Sequence, residues 1–130
     1  MNYFSVRRVK FIVSCVILFT VFDLSAGDIA YIRRDSGMAS WYGVKYRGHP
    51  TASGERFDPA DLTAAHPTLP MGTLVEVSRP EHRRSVVVRI NDRGPGGGRV
   101  LDVSEAAARR LGMVGEGTAF VSLQVIGFAD

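Results

Sequence analysis

Short runs of alternating or β-branched apolar residues, separated by Gly, Pro and Asp, recur between Gly37 and the C-terminus of this chain. Runs of this length are too short for ordinary amphipathic helices and are typical of strands. The predicted strands are Gly37–Tyr42, Thr73–Ser78, Ser85–Ile90, Arg99–Val103 and Thr118–Ile126. Many short strands in a small chain predict a mainly β protein that folds as a compact barrel.

One segment departs from the strand pattern and predicts a short helix. Glu105–Leu111 consists of Glu, Ala, Arg and Leu, which are strong helix formers. Ser104 can cap the start of this helix, and Gly112 can end it. The long segment Gly43–His66 is rich in Gly, Pro, Ser and Asp and predicts a functional loop, with a second short helix near Asp58–Ala65.

The N-terminus has the layout of an export signal. Basic residues in Met1–Lys10 precede the apolar run Phe11–Phe22, and small residues follow in Ser25–Gly27. Spanning a bilayer takes about 20 apolar residues, so the run is short for an anchor, although an uncleaved anchor or a buried strand remains the alternative. The predicted organisation is a signal peptide, a short lead-in and a barrel domain: residues 1–27, 28–36 and 37–127. We expect an exported product, periplasmic or secreted.

Composition excludes several classes of function. The chain has 130 residues, a net charge of +3 and one cysteine. Arg7, Arg8 and Lys10, offset only by Asp23, give the first 27 residues a net charge of +2, which leaves +1 for the rest of the chain. The remainder therefore does not predict a surface for nucleic acid. A single cysteine excludes an intrachain disulfide framework and a multi-cysteine zinc site. No cofactor is expected.

The predicted loop contains the first group of residues suited to chemistry. It carries two carboxylates, Glu55 and Asp58, and the imidazole of His66. Carboxyl and imidazole groups are the usual proton donors and acceptors in enzymes. A metal held by His66 with either Asp58 or Glu55 is the alternative, but the spacing matches no metal-ligand motif, and no metal is expected.

The second group follows the most apolar predicted strand directly. Asn91 and Asp92 come after Ser85–Ile90 and stand ahead of Arg93 and a Gly-Pro pair. A carboxyl group at the end of a buried strand is partly desolvated and rigidly held, which suits a general acid. Side chains that only bind turn amides are the alternative, and the spacing leaves both roles open.

Aromatic residues beside the loop add a third signal. Trp41, Tyr42 and Tyr46 could stack on a sugar ring, as aromatic side chains do in carbohydrate sites. Trp41 is equally suited to be the main aromatic residue of the core, so the sequence alone leaves its role open.

Five ordered blocks of this sequence resemble the RlpA-like (rare lipoprotein A) family. They are ASWYG at 39–43, TASGE at 51–55, LTAAH at 62–66, VVVRINDRGP at 86–95 and DVS at 102–104. The resemblance covers the chain from about Gly37 to Val125. It implies a six-stranded double-psi β-barrel with one or two short helices. It also implies a lytic transglycosylase that cleaves peptidoglycan glycan strands lacking stem peptides.

The resemblance assigns roles to individual residues. Asp92 matches the family's catalytic acid/base, and Glu55, Asp58 and His66 match other polar residues of its groove. The residues expected to contact substrate are Trp41, Tyr42, Thr51, Asn91 and Arg93. In the implied reaction, the muramic C6 hydroxyl attacks C1 and forms a 1,6-anhydro ring, so no water is consumed.

Two departures from the family shape the remaining expectations. Longer members carry a C-terminal peptidoglycan-binding SPOR domain, whereas this sequence stops at Asp130, directly after the predicted barrel. In addition, a lipid-modified cysteine ends the apolar run of its signal, whereas here the apolar run continues past Cys15. We therefore expect a monomeric barrel without that domain or a stable membrane anchor, with peptidoglycan strands as its partner. A non-catalytic, expansin-like wall-binding module is the main alternative, and a secreted protein acting on a partner cell is another.

Overall fold

Six strands close into a barrel in the computed structural model, which describes residues 34–129. The strands are β1 (Arg34–Tyr42), β2 (Thr63–Ala65), β3 (Thr73–Arg79), β4 (Arg84–Asp92), β5 (Leu101–Ser104) and β6 (Thr118–Phe128). Their order around the barrel is β1-β5-β2-β4-β3-β6, and β6 pairs with β1 to close it. The prediction of a mainly β, six-stranded barrel is confirmed. The expected signal peptide, residues 1–27, lies outside the described residues.

The short strand β2 decides which chain segments meet at one end of the barrel. It runs parallel to β4 and antiparallel to β5, so β4 ends and β5 begins beside its last residue, Ala65. Ala65 pairs with Asp92 on one side and with Asp102 on the other. The register shifts between Ala64 and Ala65, so β4 contributes one extra residue there. This bulge brings Asp92 level with the end of β2.

The predicted helix near Asp58–Ala65 is wrong, because its last three residues form β2. Three residues are too few to show a strand period, and their pairing with two neighbouring strands overrides local propensity. The loop instead contains a single-turn 3-10 helix at Val44–Tyr46. Strand β1 begins at Arg34, so the last residues of the expected lead-in belong to the barrel.

Alternating side chains of the strands fill the barrel. On β4, Val86, Val88 and Ile90 are buried, whereas Val87 between them is 40% exposed. Inward residues of the other strands complete the core, chiefly Val75, Val77, Leu101, Val103, Val121 and Leu123. Val86, Val88 and Ile90 therefore point into the barrel, and their packing fixes the strand that ends at Asp92.

The predicted helix is present as α1 (Glu105–Leu111). The Ser104 hydroxyl accepts a hydrogen bond from the Ala107 N–H at 3.3 Å, and Gly112 ends the helix at φ 67°. Its apolar face, which includes Leu111, packs on the barrel core. Within residues 34–129, no helix combines the length and the apolar character needed to cross a membrane.

Candidate active site

A cleft of about 290 Å³ opens where β4 ends and β5 begins beside the end of β2. We call it the Asp92 cleft. Four of the residues predicted for a site line it: Tyr42, Thr51, Asp92 and Arg93. Ala65 and Asp102 line it as well. The structure therefore brings together predicted residues from both polar stretches and from the aromatic segment.

Two carboxyl groups flank Ala65 in this cleft. Asp92 and Asp102 are both strand partners of Ala65, and neighbouring strands lie about 4.8 Å apart, so their Cα atoms are about 10 Å apart. A gap of this width leaves room for a sugar ring between the side chains. Sequence analysis gave Asp102 no role, because only the pairing of β5 with β2 shows that it lies opposite Asp92.

The carboxyl group of Asp92 has two unlike oxygens. Its Oδ1 accepts hydrogen bonds from the backbone N–H groups of Ala52 at 3.0 Å and Arg93 at 2.9 Å. Its Oδ2 accepts no hydrogen bond from the residues that the structure describes. The turn-binding role considered for Asp92 is thus performed by one oxygen, and the other is available to a ligand in the cleft.

A tight turn presents the Ala52 amide to Asp92. Within it, Thr51 donates from both its N–H and its hydroxyl to the Glu55 carbonyl, at 2.9 and 2.8 Å. Gly54 completes the turn at φ +91°, which a residue with a side chain rarely adopts. The Ser53 N–H donates to the Asn91 carbonyl at 3.0 Å, and this bond attaches the turn to the end of β4. The turn therefore positions the catalytic candidate.

The carboxylate of Glu55 is paired with Arg89 and does not line the Asp92 cleft among the described residues. Arg89 donates to it twice, at 2.6 and 3.2 Å, and the Asn91 side chain also hydrogen-bonds to it. The hydrogen bonds from Arg89 lower the pKa of Glu55, while partial burial opposes them. Glu55 is thus ionised at neutral pH and is unsuited to donating a proton.

The imidazole of His66 is buried behind the cleft floor. Its Nδ1 accepts hydrogen bonds from the N–H groups of Thr68 and Leu69, at 3.1 and 3.0 Å. The His66 backbone N–H donates to the carbonyl of Asp92 at 3.1 Å. Arg93 donates from Nη1 to the carbonyls of His66 and Leu69. These contacts hold the chain after β2 against the end of β4.

Asp58 and Asn91 also lie outside the cleft lining in the described part of the chain. Asp58 accepts from the Ala60 N–H at 2.9 Å and lies 3.9 Å from Arg47 in an exposed ion pair. Asn91 is 2% exposed, beneath the turn that carries Ala52. In the geometry of the described residues, both side chains support the loop.

The phenol of Tyr42 forms one side of the cleft. Its ring packs 4.5 Å from that of Phe57 and 6.1 Å from that of Tyr46, measured between centroids. Burial raises the pKa of Tyr42, and the negative charges of Asp92 and Asp102 raise it further. Tyr42 therefore keeps its proton at all pH values at which proteins normally fold, and it can act only as a neutral donor or acceptor.

A second hollow of about 560 Å³ adjoins the Asp92 cleft. We call it the Trp41 hollow. It shares Tyr42, Tyr46 and Asp102 with the cleft, so the two spaces meet along these side chains. Trp41 is half-buried and packs against the core as well as lining this hollow. Trp41 therefore contributes to the core in part, and its stacking on a sugar ring stays a prediction.

Comparison with curated proteins gives close relatives over the barrel. The chain is 56% identical over 94 residues to a probable endolytic peptidoglycan transglycosylase RlpA of Nostoc sp., covering 70% of this chain and 25% of that protein. It is 50% identical over 92 residues to the endolytic peptidoglycan transglycosylase RlpA of Neisseria meningitidis, covering 70% of this chain and 38% of that protein. The chain thus spans well under half the length of these relatives.

Comparison with solved structures and with family models agrees on the same region. A ligand-free expansin of Clavibacter michiganensis superposes with a TM-score of 0.60 and 25% identity, covering 75% of this chain and 52% of that one. The fold is the double-psi β-barrel. The family model described as lytic transglycolase matches residues 34–123, which include the barrel from β1 into β6 and both carboxyl groups of the cleft. The chain belongs to the lytic transglycolase family.

Proposed function

We propose that this domain is an endolytic lytic transglycosylase of peptidoglycan. It cleaves the bond between N-acetylmuramic acid and N-acetylglucosamine in strands without stem peptides and leaves 1,6-anhydro ends. The observation that carries the proposal is the carboxyl group of Asp92, with Oδ1 held by two backbone amides and Oδ2 open to the cleft. The names of the relatives support the reaction class.

A single carboxyl group can complete the reaction. Asp92 in its acid form gives the proton on Oδ2 to the glycosidic oxygen, and the bond from C1 to that oxygen breaks. The released N-acetylglucosamine end then carries a hydroxyl group. The C6 hydroxyl of the muramyl residue bonds to C1 and gives its proton back to Oδ2. Asp92 ends the cycle as it began, and no second carboxylate is needed to activate water.

Asp102 supplies negative charge on the other side of Ala65. Arg99 donates to its two oxygens at 3.1 and 3.3 Å, and the Ser40 hydroxyl donates at 2.5 Å. These three hydrogen bonds fix the position of the Asp102 carboxyl group. A fixed negative charge in the cleft stabilises the positive charge that develops on the sugar ring as the bond breaks.

The substrate implies where the protein works. Peptidoglycan lies outside the cytoplasmic membrane, so we propose that the protein is exported and acts as a monomer in the periplasm or as a secreted protein. The basic and apolar layout of residues 1–27 supports this proposal. The expected catalytic contributions of Glu55, Asp58 and His66 are proposed to be indirect, through the turns that they stabilise.

Product analysis with an Asp92→Asn variant tests the proposal. The amide is nearly isosteric, so the barrel and most of the glycan binding should remain, but it can neither give nor accept the proton. The rate of 1,6-anhydro end formation on denuded strands, followed by mass spectrometry, should fall by about 10²–10⁴-fold. Asp58→Asn, outside the cleft, is the matched control and should lose much less.

Two results would contradict the proposal. A parent protein that binds denuded strands and leaves them intact would be the expansin-like binding module that the barrel also resembles. Near-parental activity in Asp92→Asn, together with an inactive Glu55→Gln, would move the acid/base role to Glu55.

A further inference from the structure

The Trp41 hollow adjoins the Asp92 cleft, so a ligand longer than the cleft can extend into it. Its volume of about 560 Å³ lies within the roughly 300–1,000 Å³ typical of small-molecule sites. The two spaces share Tyr42, Tyr46 and Asp102 as a common wall. A glycan strand bound across that wall therefore places one sugar in each space or against its rim.

The aromatic surface of this hollow is held in place by the backbone. A β-carbon at Gly43 would come within 2.8 Å of Cζ3 of Trp41, so the indole packs directly on the glycine backbone. Trp41 also packs against the core, which limits its motion further. A fixed indole at the edge of a hollow is a surface on which a sugar ring can stack.

The hollow has one available positive charge. Nζ of Lys45 lies 5.0 Å from the centroid of the Tyr46 ring, a cation–π contact that holds the ammonium beside the hollow. Lys45 forms no ion pair with any described residue. By contrast, Arg99 is paired with Asp102 in the same wall. The second carboxylate that lines the hollow, Glu105, is paired with Arg109 at 2.6 Å. Among the described residues, Lys45 is therefore the unpaired charge that a negatively charged ligand in the hollow would meet.

We propose that the Trp41 hollow is a subsite for a muramyl residue, in which Lys45 binds the free lactyl carboxylate. This inference rests on the proposed function, and it names Lys45 as the residue that distinguishes strands without stem peptides from strands that carry them. N-Acetylglucosamine is neutral, so of the two alternating sugars only the muramyl residue matches both an aromatic surface and an ammonium. In strands with stem peptides the same lactyl group is an amide and offers no charge to Lys45.

Binding measurements on the Asp92→Asn background test the subsite without cleavage of the ligand. The two ligands are denuded glycan strands and the same strands with their lactyl carboxylates converted to neutral carboxamides. Lys45→Gln should weaken binding of the carboxylate strands about two- to fivefold, as expected for an exposed ion pair, and leave carboxamide binding unchanged. Lys45→Arg keeps the positive charge and should keep the preference for carboxylate strands over carboxamide strands. The control Arg110→Gln removes one positive charge from the exposed end of α1 and should leave that preference unchanged.

The result that would overturn the subsite is equal binding of both ligands, or an equal loss for both ligands in Lys45→Gln. The proposed function is tested separately, by 1,6-anhydro ends formed by the parent protein. Cleavage by the parent without a preference for carboxylate strands overturns the subsite alone. Absence of cleavage overturns the activity, while a preference that depends on Lys45 would still establish the subsite.

Discussion

The two aspartates of the cleft have different neighbours, and these neighbours separate their chemistry. Asp92 receives backbone amides on one oxygen only, whereas both oxygens of Asp102 accept from Arg99. Both oxygens of Asp102 are occupied by the guanidinium, whereas one oxygen of Asp92 is available to contact a ligand. The proposed assignment of Asp92 to proton transfer and Asp102 to charge stabilisation follows from this difference.

Glu55→Gln should destabilise the protein in a pH-dependent way. Because Arg89 lowers the pKa of Glu55 in the folded state, the pair contributes stability above the ordinary value of 4.5, and the contribution disappears as the pH falls through the lowered folded pKa. Thermal unfolding should show a parent that is more stable than Glu55→Gln at neutral pH, by a margin that shrinks in acid. Both partners are about one third exposed, so the margin should be modest.

Glu81→Gln is the matched control for this measurement. Glu81 is exposed in the turn between β3 and β4 and forms no ion pair with the described residues. Its melting curves should follow those of the parent at every pH. A difference for Glu55→Gln that stays constant from neutral pH into acid would show that the pair with Arg89 adds nothing to stability.

At the scale of elements, β4 connects the core to the site. Its inward valines fill the barrel, and its last residues are held by the turn at Thr51 and by β2. The Ser53 and His66 amides both donate to backbone carbonyls at its end. The position of Asp92 therefore depends on the packing of the whole strand.

Val88→Ala should destabilise the barrel by about 1–3 kcal/mol, because it removes two methyl groups from a fully buried side chain and leaves a cavity. Val87→Ala removes the same atoms from a neighbouring side chain that is 40% exposed, and it should change stability by less than about 0.5 kcal/mol. Denaturant unfolding of both variants measures the difference. Overlapping unfolding curves for the parent and Val88→Ala would contradict the claim that the buried Val88 side chain contributes to the free energy of unfolding.

At the scale of the whole molecule, the barrel closes a site from segments that are far apart in the sequence. Tyr42 on β1, Thr51 in the loop, Asp92 on β4 and Asp102 on β5 meet in one cleft. Within residues 34–129, each strand has two neighbouring strands in the closed barrel, and this closure brings the four segments together.

Export should leave a mature N-terminus at or near Asp28. The physical reason is the short apolar run at Phe11–Phe22, which a signal peptidase can release and which is short for a stable anchor. N-terminal sequencing of the protein recovered from the producing cells measures the processing site. Membrane-bound protein that retains Met1 would contradict the prediction.

Local patterns in the sequence were sufficient for much of the fold and for part of the site. The inward positions of β4 follow from a period of two, and the ends of α1 follow from the capping chemistry of Ser104 and Gly112. The carboxyl group at the end of β4 was also predictable, because a polar residue directly after an apolar strand lies at the edge of the core. Each of these features depends on neighbours within a few residues.

Only the tertiary structure decided the remaining features, because their causes lie far apart in the sequence. Strand β2 forms through pairing with β4 and β5, and its three residues have no period of their own. Glu55 is ionised and removed from proton transfer by Arg89, which lies 34 residues away. Asp102 faces Asp92 only because both pair with Ala65. Barrel closure brings these partners within hydrogen-bonding and Coulombic range, and distances of that kind are not encoded in any local pattern.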